Sequence, residues 1–210
     1  TGHDADQPAQ RPSWNYREED GGGIIIDMLC HWRYVLDNLF GPVTAITCLG
    51  ANHIPQRVDE TGQAYNADAD DAAYAMLECD GDVLVQIAFS WCTRVRRDDL
   101  VTFQIDGTLG SAVAGLSDCY TQASTDTPRP VWNPDEAQVH DFRGDWQRVP
   151  ENRTYDNGFK TQWEQFLRHV AEGAGYDYTL AAGVKGVELA QSADQSWRER
   201  RWVDLPTAAD

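Results

Sequence analysis

This chain of 210 residues has little positive charge, and almost none of that charge is lysine. It has 17 lysine and arginine residues against 34 aspartate and glutamate residues, which gives a formal net charge of −17. Lys160 and Lys185 are its only lysines. A surface of this sign repels phosphate backbones and acidic lipid headgroups. The composition therefore argues against a nucleic-acid partner and against binding to an acidic membrane.

Long apolar runs and paired cysteines are also missing. No apolar stretch approaches the roughly 18 residues of a membrane-spanning helix, and no signal-peptide pattern opens the chain. The five cysteines are scattered and show no Cys-x-x-Cys spacing, which is typical of reduced thiols in a cytoplasmic protein. The chain carries 41% hydrophobic residues and eight tryptophans. That content is enough for a folded domain with a sizeable core.

Nucleotide-binding signatures are absent as well. No predicted strand leads into Gly-x-Gly-x-x-Gly, and no phosphate-binding loop of the Gly-x₄-Gly-Lys-Ser/Thr type occurs. The glycines at positions 21–23 do not follow a strand, so they are not a dinucleotide fingerprint. The chain begins with Thr1 rather than Met. We therefore expect a processed product or the rear part of a longer protein.

Hydrophobic periodicity predicts a helix, a series of strands and then two more helices. The predicted helices cover residues 22–39, 157–173 and 179–197, and the predicted strands cover 43–54, 71–79, 83–92, 99–105, 111–114 and 201–205. We expect a loop at 55–69 and short strands with surface loops at 117–156. This order indicates an α+β fold, with helices packed on one face of a large, mostly antiparallel sheet. The open face is available for substrate or for another subunit.

The segment of residues 21–31 reads GGGIIIDMLCH and carries the clearest chemical signal. Asp27 and His31 lie four residues apart, so they share one face of the first predicted helix. A histidine beside a carboxylate can serve as a general acid and base at neutral pH. A hydrogen-bonded structural pair is the competing interpretation. A metal site that recruits a distant histidine has no supporting His-x₃-His or cysteine cluster. The glycines would let a ligand approach the start of the helix closely.

Two further groups of residues are candidates for substrate binding. Arg94, Arg96 and Arg97 follow a predicted strand and could bind an anion or sugar hydroxyls. With Asp98 and Asp99 beside them, they could equally form a surface ion-pair cluster.

Trp14, Asn15 and Arg17 precede the glycines. They could line the mouth of a pocket, or they could belong to a packed connector.

The segment GGGIIIDMLCHWRYVLDNLFGPV resembles the start of the C-terminal domain of the Gfo/Idh/MocA oxidoreductases. Three later features are similar to the same family: DDAAYA before the turn at Asp80, IDGTLGS at 105–111, and the closing helices with WVDL at 202–205. The ordered set covers most of residues 14–205.

The resemblance implies a fold, a site and a cofactor. The fold is an α/β C-terminal domain with a large, mostly antiparallel sheet whose open face commonly meets another subunit. His31 would act as acid and base on the reacting hydroxyl, assisted by Asp27. The substrate would be a sugar, a sugar derivative or a cyclitol, with Trp14, Asn15, Arg17 and Arg94 as candidate contacts. NAD or NADP would be bound mainly by an N-terminal Rossmann domain.

This chain departs from the family pattern because it has no Rossmann domain and no Glu-Lys-Pro motif. Residues 1–20 are accordingly expected to connect a missing Rossmann domain to a C-terminal domain at 21–210, and the chain alone should not turn over. Two alternatives stay open. One is a non-catalytic assembly or regulatory subunit, and the other is a redox-neutral hydrolase, lyase or epimerase that uses bound NAD. No metal is expected.

Overall fold

The structure is a computed structural model, and it describes residues 11–92, 96, 99–150 and 157–206. The chain divides into two compact units, one formed by residues 1–93 and 165–210 and the other by residues 94–164. Each unit is described by itself below. In the described ranges, no helix is both long enough and apolar enough to cross a membrane.

The first unit is built on helix α1, Ile24–Phe40. Its start is fixed by Gly23, which has a φ of 122° that side chains with a Cβ rarely adopt. Its end falls at Gly41, with a φ of 86°, followed by Pro42, which cannot continue a helix. Helical spacing predicts an inward apolar face that includes Ile25, Leu29, Leu36 and Leu39. The first three are buried, whereas Leu39 at the last turn is 57% exposed.

A four-stranded antiparallel sheet lies under this helix, in the order β10-β1-β4-β5. The strands are β1 (Val43–Ala51), β4 (Ala72–Cys79), β5 (Val83–Ser90) and β10 (Val203–Asp204). Burial alternates along β4 from Ala73 to Cys79, because successive side chains point to opposite faces of the sheet. The inward side chains form one core with α1 and with α3, Leu180–Glu199.

The outward face of this sheet keeps several large apolar side chains in solvent. Leu49 pairs with Tyr74, and Met76 follows two residues along β4 on the same face. Leu84 lies opposite Glu78 on the neighbouring strand. These four apolar side chains are 49–73% exposed: Leu49, Tyr74, Met76 and Leu84.

The expected loop at 55–69 instead contains a small hairpin of β2 (Gln56–Val58) and β3 (Ala64–Asn66). The prediction missed it because each strand has three residues, too few to show a period. Its turn is held by the Asp59 carboxylate, which accepts hydrogen bonds from the amides of Thr61 and Gln63. The pKa of Asp59 is lowered, chiefly by the hydrogen bond from the Thr61 hydroxyl.

The second unit contains another four-stranded antiparallel sheet, in the order β6-β7-β8-β9. Its strands are β6 (Phe103–Asp106), β7 (Gly110–Ala114), β8 (Cys119–Ala123) and β9 (Gln147–Arg148). The strand expected at 99–105 begins later, at Phe103, because the Asp99 carboxylate accepts the amides of Leu100 and Leu116 and holds a loop there. The short strands and surface loops predicted for residues 117–156 are confirmed in the described part of that range, which contains β8 and β9.

The last two helices are α2, Gly158–Glu172, and α3, whose N-terminus is capped by the Thr179 hydroxyl. Helical spacing predicts that Leu180, Val184, Val187, Leu189 and Ala190 face the core, but the first three are 53–91% exposed. Leu189 and Ala190 are buried as predicted. The inward face of α3 is thus set by small residues that allow a close approach, with Ala193 and Ser196 also buried. The α+β class and the antiparallel pairing are confirmed.

Candidate functional site

Two of the three glycines before α1, Gly22 and Gly23, make room for protein rather than for a ligand. A Cβ on Gly22 would lie 2.5 Å from the carbonyl oxygens of Trp14 and Asn15, and one on Gly23 would collide with the Asp70 carboxylate. Asp70 accepts a hydrogen bond from the Ile25 amide at 2.8 Å through its side chain, and from the Ile24 amide at 2.9 Å through its carbonyl. The hypothesis of ligand approach at this helix end is therefore wrong, because the Asp70 carboxylate already occupies it.

Asp70 is a buried carboxylate with a structural role. Burial raises its pKa, although the Ile25 amide opposes that shift by hydrogen bonding to the charged form. The side chain comes from the residues that lead into β4, so it ties the start of α1 to the sheet. This contact fixes the position of the helix that carries Asp27 and His31.

Asp27 lies on the first turns of α1, and its carboxylate is one-third exposed. Its Oδ2 accepts a hydrogen bond from Arg11 Nη1 at 2.8 Å. In the described ranges, Oδ1 has no hydrogen-bond partner. A carboxylate oxygen without a donor is free to accept from a bound hydroxyl group.

His31 is exposed on the same helix face. Among the residues described here, its imidazole makes no hydrogen bond or ion pair, and no hydrogen bond joins it to Asp27. The structural pair considered from the sequence is therefore not formed. An exposed imidazole without a protein partner can exchange a proton with a bound molecule.

Two aromatic residues, Trp91 and Tyr16, support the Arg11 side chain that pairs with Asp27. The Arg11 guanidinium lies 4.7 Å from the centroid of the Trp91 ring. Trp91 in turn makes an edge-to-face contact with the buried Tyr16, with ring centroids 5.4 Å apart. Burial raises the pKa of the Tyr16 phenol, which keeps it neutral. Sequence reasoning missed Arg11 and Trp91, and no local motif marks either residue.

The other predicted contacts are placed as follows. Trp14 is half-exposed, and Asn15 is buried, with its carbonyl accepting the Gly23 amide at 2.9 Å. The Arg17 guanidinium stacks over Tyr65 of the β2–β3 hairpin at 4.8 Å. The contacts of Asn15 and Arg17 are those of a packed connector, and a role in substrate binding stays a prediction. Arg94 lies outside the described residues.

Neither a metal site nor a phosphate site at the N-terminus of α1 is formed by the described residues. They contain no group of three His, Cys, Asp or Glu side chains placed to hold a metal ion. The N-terminus of α1 cannot cradle a phosphate, since a carboxylate fills it. All five cysteines are free. Burial raises the pKa of Cys92 to about 11 and that of Cys48 to about 12, so neither thiol is a reactive nucleophile.

The first helix, which carries Asp27 and His31, lies in the part of the chain that matches a known domain family. Residues 1–113 match the GFO/IDH/MocA C-terminal domain family, and the chain belongs to this family. A D-xylose dehydrogenase from Paenarthrobacter nicotinovorans is 52% identical over 204 residues, which cover 95% of this chain and 53% of that protein.

Solved structures share the fold. Levoglucosan dehydrogenase in complex with NADH and L-sorbose matches with a TM-score of 0.74 and 19% identity, over 96% of this chain and 56% of that one. An oxidoreductase domain protein from Kribbella flavida matches with a TM-score of 0.73 and 15% identity, over 97% and 56%. The chain thus spans about half the length of these relatives.

Proposed function

We propose that this chain is the substrate-binding and catalytic part of an NAD(P)-dependent dehydrogenase that oxidises a hydroxyl group of a sugar or cyclitol. The observation that carries the proposal is the face of α1. Among the described residues, the exposed His31 has no hydrogen-bond or ion-pair partner, and Asp27 Oδ1 has no donor. The 52% identity to a D-xylose dehydrogenase makes an aldopentose the first substrate to test.

The two side chains divide the chemistry at the substrate. The His31 imidazole takes the proton from the reacting hydroxyl oxygen during oxidation and returns it during reduction. Asp27 Oδ1 accepts a hydrogen bond from a neighbouring hydroxyl and so orients the sugar. When bound, NAD(P) supplies the acceptor for the two electrons removed from the substrate carbon.

The cofactor is assigned to a part of the enzyme outside these 210 residues. The absence of a dinucleotide fingerprint from the sequence and the filled N-terminus of α1 both support this assignment. Residues 1–20 would then connect a Rossmann domain to the domain at 21–210. Trp14, Asn15, Arg17 and Arg94 remain candidate contacts to substrate or cofactor from this side.

The test is His31→Ala in the full-length enzyme, with His140→Ala as the matched control because His140 is an exposed histidine of the other unit. We expect kcat/KM for the sugar to fall about 100-fold or more, as loss of a general base usually costs 10²–10⁴. The control should keep wild-type kinetics. A loss of less than about tenfold with a folded variant contradicts the acid–base role. Product formation without net NAD(P)H would instead indicate the redox-neutral alternative.

The outward face of the β10-β1-β4-β5 sheet supports a second part of the proposal, a homo-oligomer. Leu49, Tyr74, Met76 and Leu84 are large apolar side chains exposed on one side, and such patches typically mark interfaces. Met76→Glu should shift the protein to a smaller species in sedimentation velocity, whereas Leu109→Glu, at a residue 85% exposed in the other unit, should not. An unchanged sedimentation coefficient for Met76→Glu contradicts this face as the interface.

A further inference from the structure

Arg11 makes the only ion pair that the described residues give to Asp27. The pair is close, at 2.8 Å, and both side chains are about one-third exposed. Such a pair contributes little to stability, since exposed ion pairs are typically worth 0–1 kcal/mol. Its geometry is nevertheless specific, because it uses one oxygen of the carboxylate and leaves the other open.

A series of aromatic contacts connects the Arg11 guanidinium to the protein core. The guanidinium lies over the indole of Trp91, whose backbone amide donates to the Asp71 carbonyl at 2.9 Å. Trp91 contacts Tyr16, which is 1% exposed. A planar guanidinium stacked on an aromatic ring keeps a fixed orientation. Arg11 is therefore pre-oriented toward Asp27 by residues that have no other evident link to the site.

We propose that Arg11 is a positioning residue of the active site, which fixes Asp27 Oδ2 so that Oδ1 faces the substrate hydroxyl. The proposal rests on the proposed function, since it assigns Asp27 to substrate binding. Arg11 itself does not need to touch the sugar. The effect of Arg11 passes through the Asp27 carboxylate. Lysine cannot replace Arg11, because an ammonium group is not planar and cannot stack on the indole while its N–H groups donate to the carboxylate.

The first experiment compares Arg11→Ala and Arg11→Lys in the full-length enzyme. We expect both to lower kcat/KM for the sugar about tenfold to 100-fold, the range of misplaced binding groups, with the KM for NAD(P) unchanged. Guanidinium chloride at low millimolar concentration should restore part of the activity of Arg11→Ala, and sodium chloride at equal ionic strength should not. Arg148→Ala, which removes an Arg–Asp pair in the other unit, is the matched control and should behave as wild type.

The second experiment asks whether Arg11 acts through Asp27. In an Asp27→Asn background, adding Arg11→Ala should change kcat/KM by less than about twofold, because coupled residues are not additive. A further loss as large as in the wild-type background would overturn the proposal. So would a single Arg11→Ala variant with kcat/KM within about threefold of wild type.

A binding measurement gives a readout that does not depend on turnover. The sugar should raise the melting temperature of the wild-type protein by mass action, and that rise should shrink in Arg11→Ala while the melting temperature without sugar stays close to wild type. An equal sugar-induced rise in both proteins contradicts positioning by Arg11. Failure of the proposed function gives a different result. In that case His31→Ala keeps its activity, independently of the result for Arg11→Ala.

Discussion

Two arginine–aspartate pairs flank the same two aromatic rings in this protein. Arg57 pairs with Asp71 and lies 3.7 Å from the Tyr16 ring centroid, whereas Arg11 pairs with Asp27 and lies over Trp91. Both ion pairs measure 2.8 Å. Chemistry and distance are thus almost the same, and burial is what differs.

In the buried pair, both carboxylate oxygens of Asp71 accept hydrogen bonds. Asp71 is 1% exposed at its side chain, and it accepts hydrogen bonds from the amides of His53 and Ile54 as well as from Arg57. The Asp27 side chain is 34% exposed and, within the described part of the chain, accepts one hydrogen bond, from Arg11. A buried carboxylate with hydrogen bonds to both oxygens thus holds the fold, while an accessible carboxylate with an open oxygen is available for a ligand.

The largest expected effect on stability comes from Asp71→Asn. In either orientation the new amide nitrogen would face at least one N–H donor, and the Arg57 charge would stay buried without its carboxylate. Loss of one partner of a buried ion pair typically costs about 3–5 kcal/mol of unfolding free energy. Asp27→Asn, at the exposed pair, should cost no more than about 1 kcal/mol. Urea unfolding of both variants measures the difference. Equal losses would remove burial as the distinction between the two pairs.

A smaller effect is expected at the glycines that bring the connector against α1. Gly23→Ala combines a φ of 122° with a collision against the Asp70 carboxylate, which we expect to cost about 2–3 kcal/mol. Gly21→Ala is the matched control, because its φ is 80° but nothing lies within 4 Å of the added Cβ. It should cost about 1 kcal/mol. If thermal unfolding shows equal losses, contact with Asp70 is not what requires glycine at position 23.

The smallest effect is the pH dependence contributed by Asp70. Its pKa is raised by burial. At a pH between the unfolded and the native pKa, the native state therefore holds a proton that the unfolded state has released. The stability of the wild type relative to Asp70→Asn should therefore fall as the pH rises from about 4, the unfolded carboxyl value, through the raised pKa.

Asp59 serves as the control of opposite sign. Its pKa is lowered, so the free energy of unfolding of the wild type should rise relative to that of Asp59→Asn as the pH rises toward about 4. The difference should then persist at higher pH. Urea unfolding between pH 3.5 and about 7 follows both differences. If the stability difference between wild type and variant changed with pH in the same direction for Asp70→Asn and Asp59→Asn, the role of burial at Asp70 would be contradicted.

Much of the fold could be predicted because its signals are local. The 3.6-residue period of α1, the alternation along β4 and β5, and the glycine stop at position 41 are each legible within about ten residues. The resemblance to the Gfo/Idh/MocA family rested on the same segments. The short β2–β3 hairpin escaped prediction, because strands of three residues show no period. Leu180, Val184 and Val187 recur at helical spacing and were wrongly expected inside, because a period shows which residues share a face but not whether a neighbour covers that face.

The candidate site was predictable only in part, for a physical reason. Asp27 and His31 share a helix face by spacing alone, so the sequence by itself determined that pair. Tertiary structure alone decided that Asp70 fills the end of the helix, across a separation of 45 residues, and that Arg11 meets Asp27 across 16. Those contacts depend on how a connector, a helix and two strands pack together. No local pattern encodes that packing, and it is what leaves one oxygen of Asp27 open.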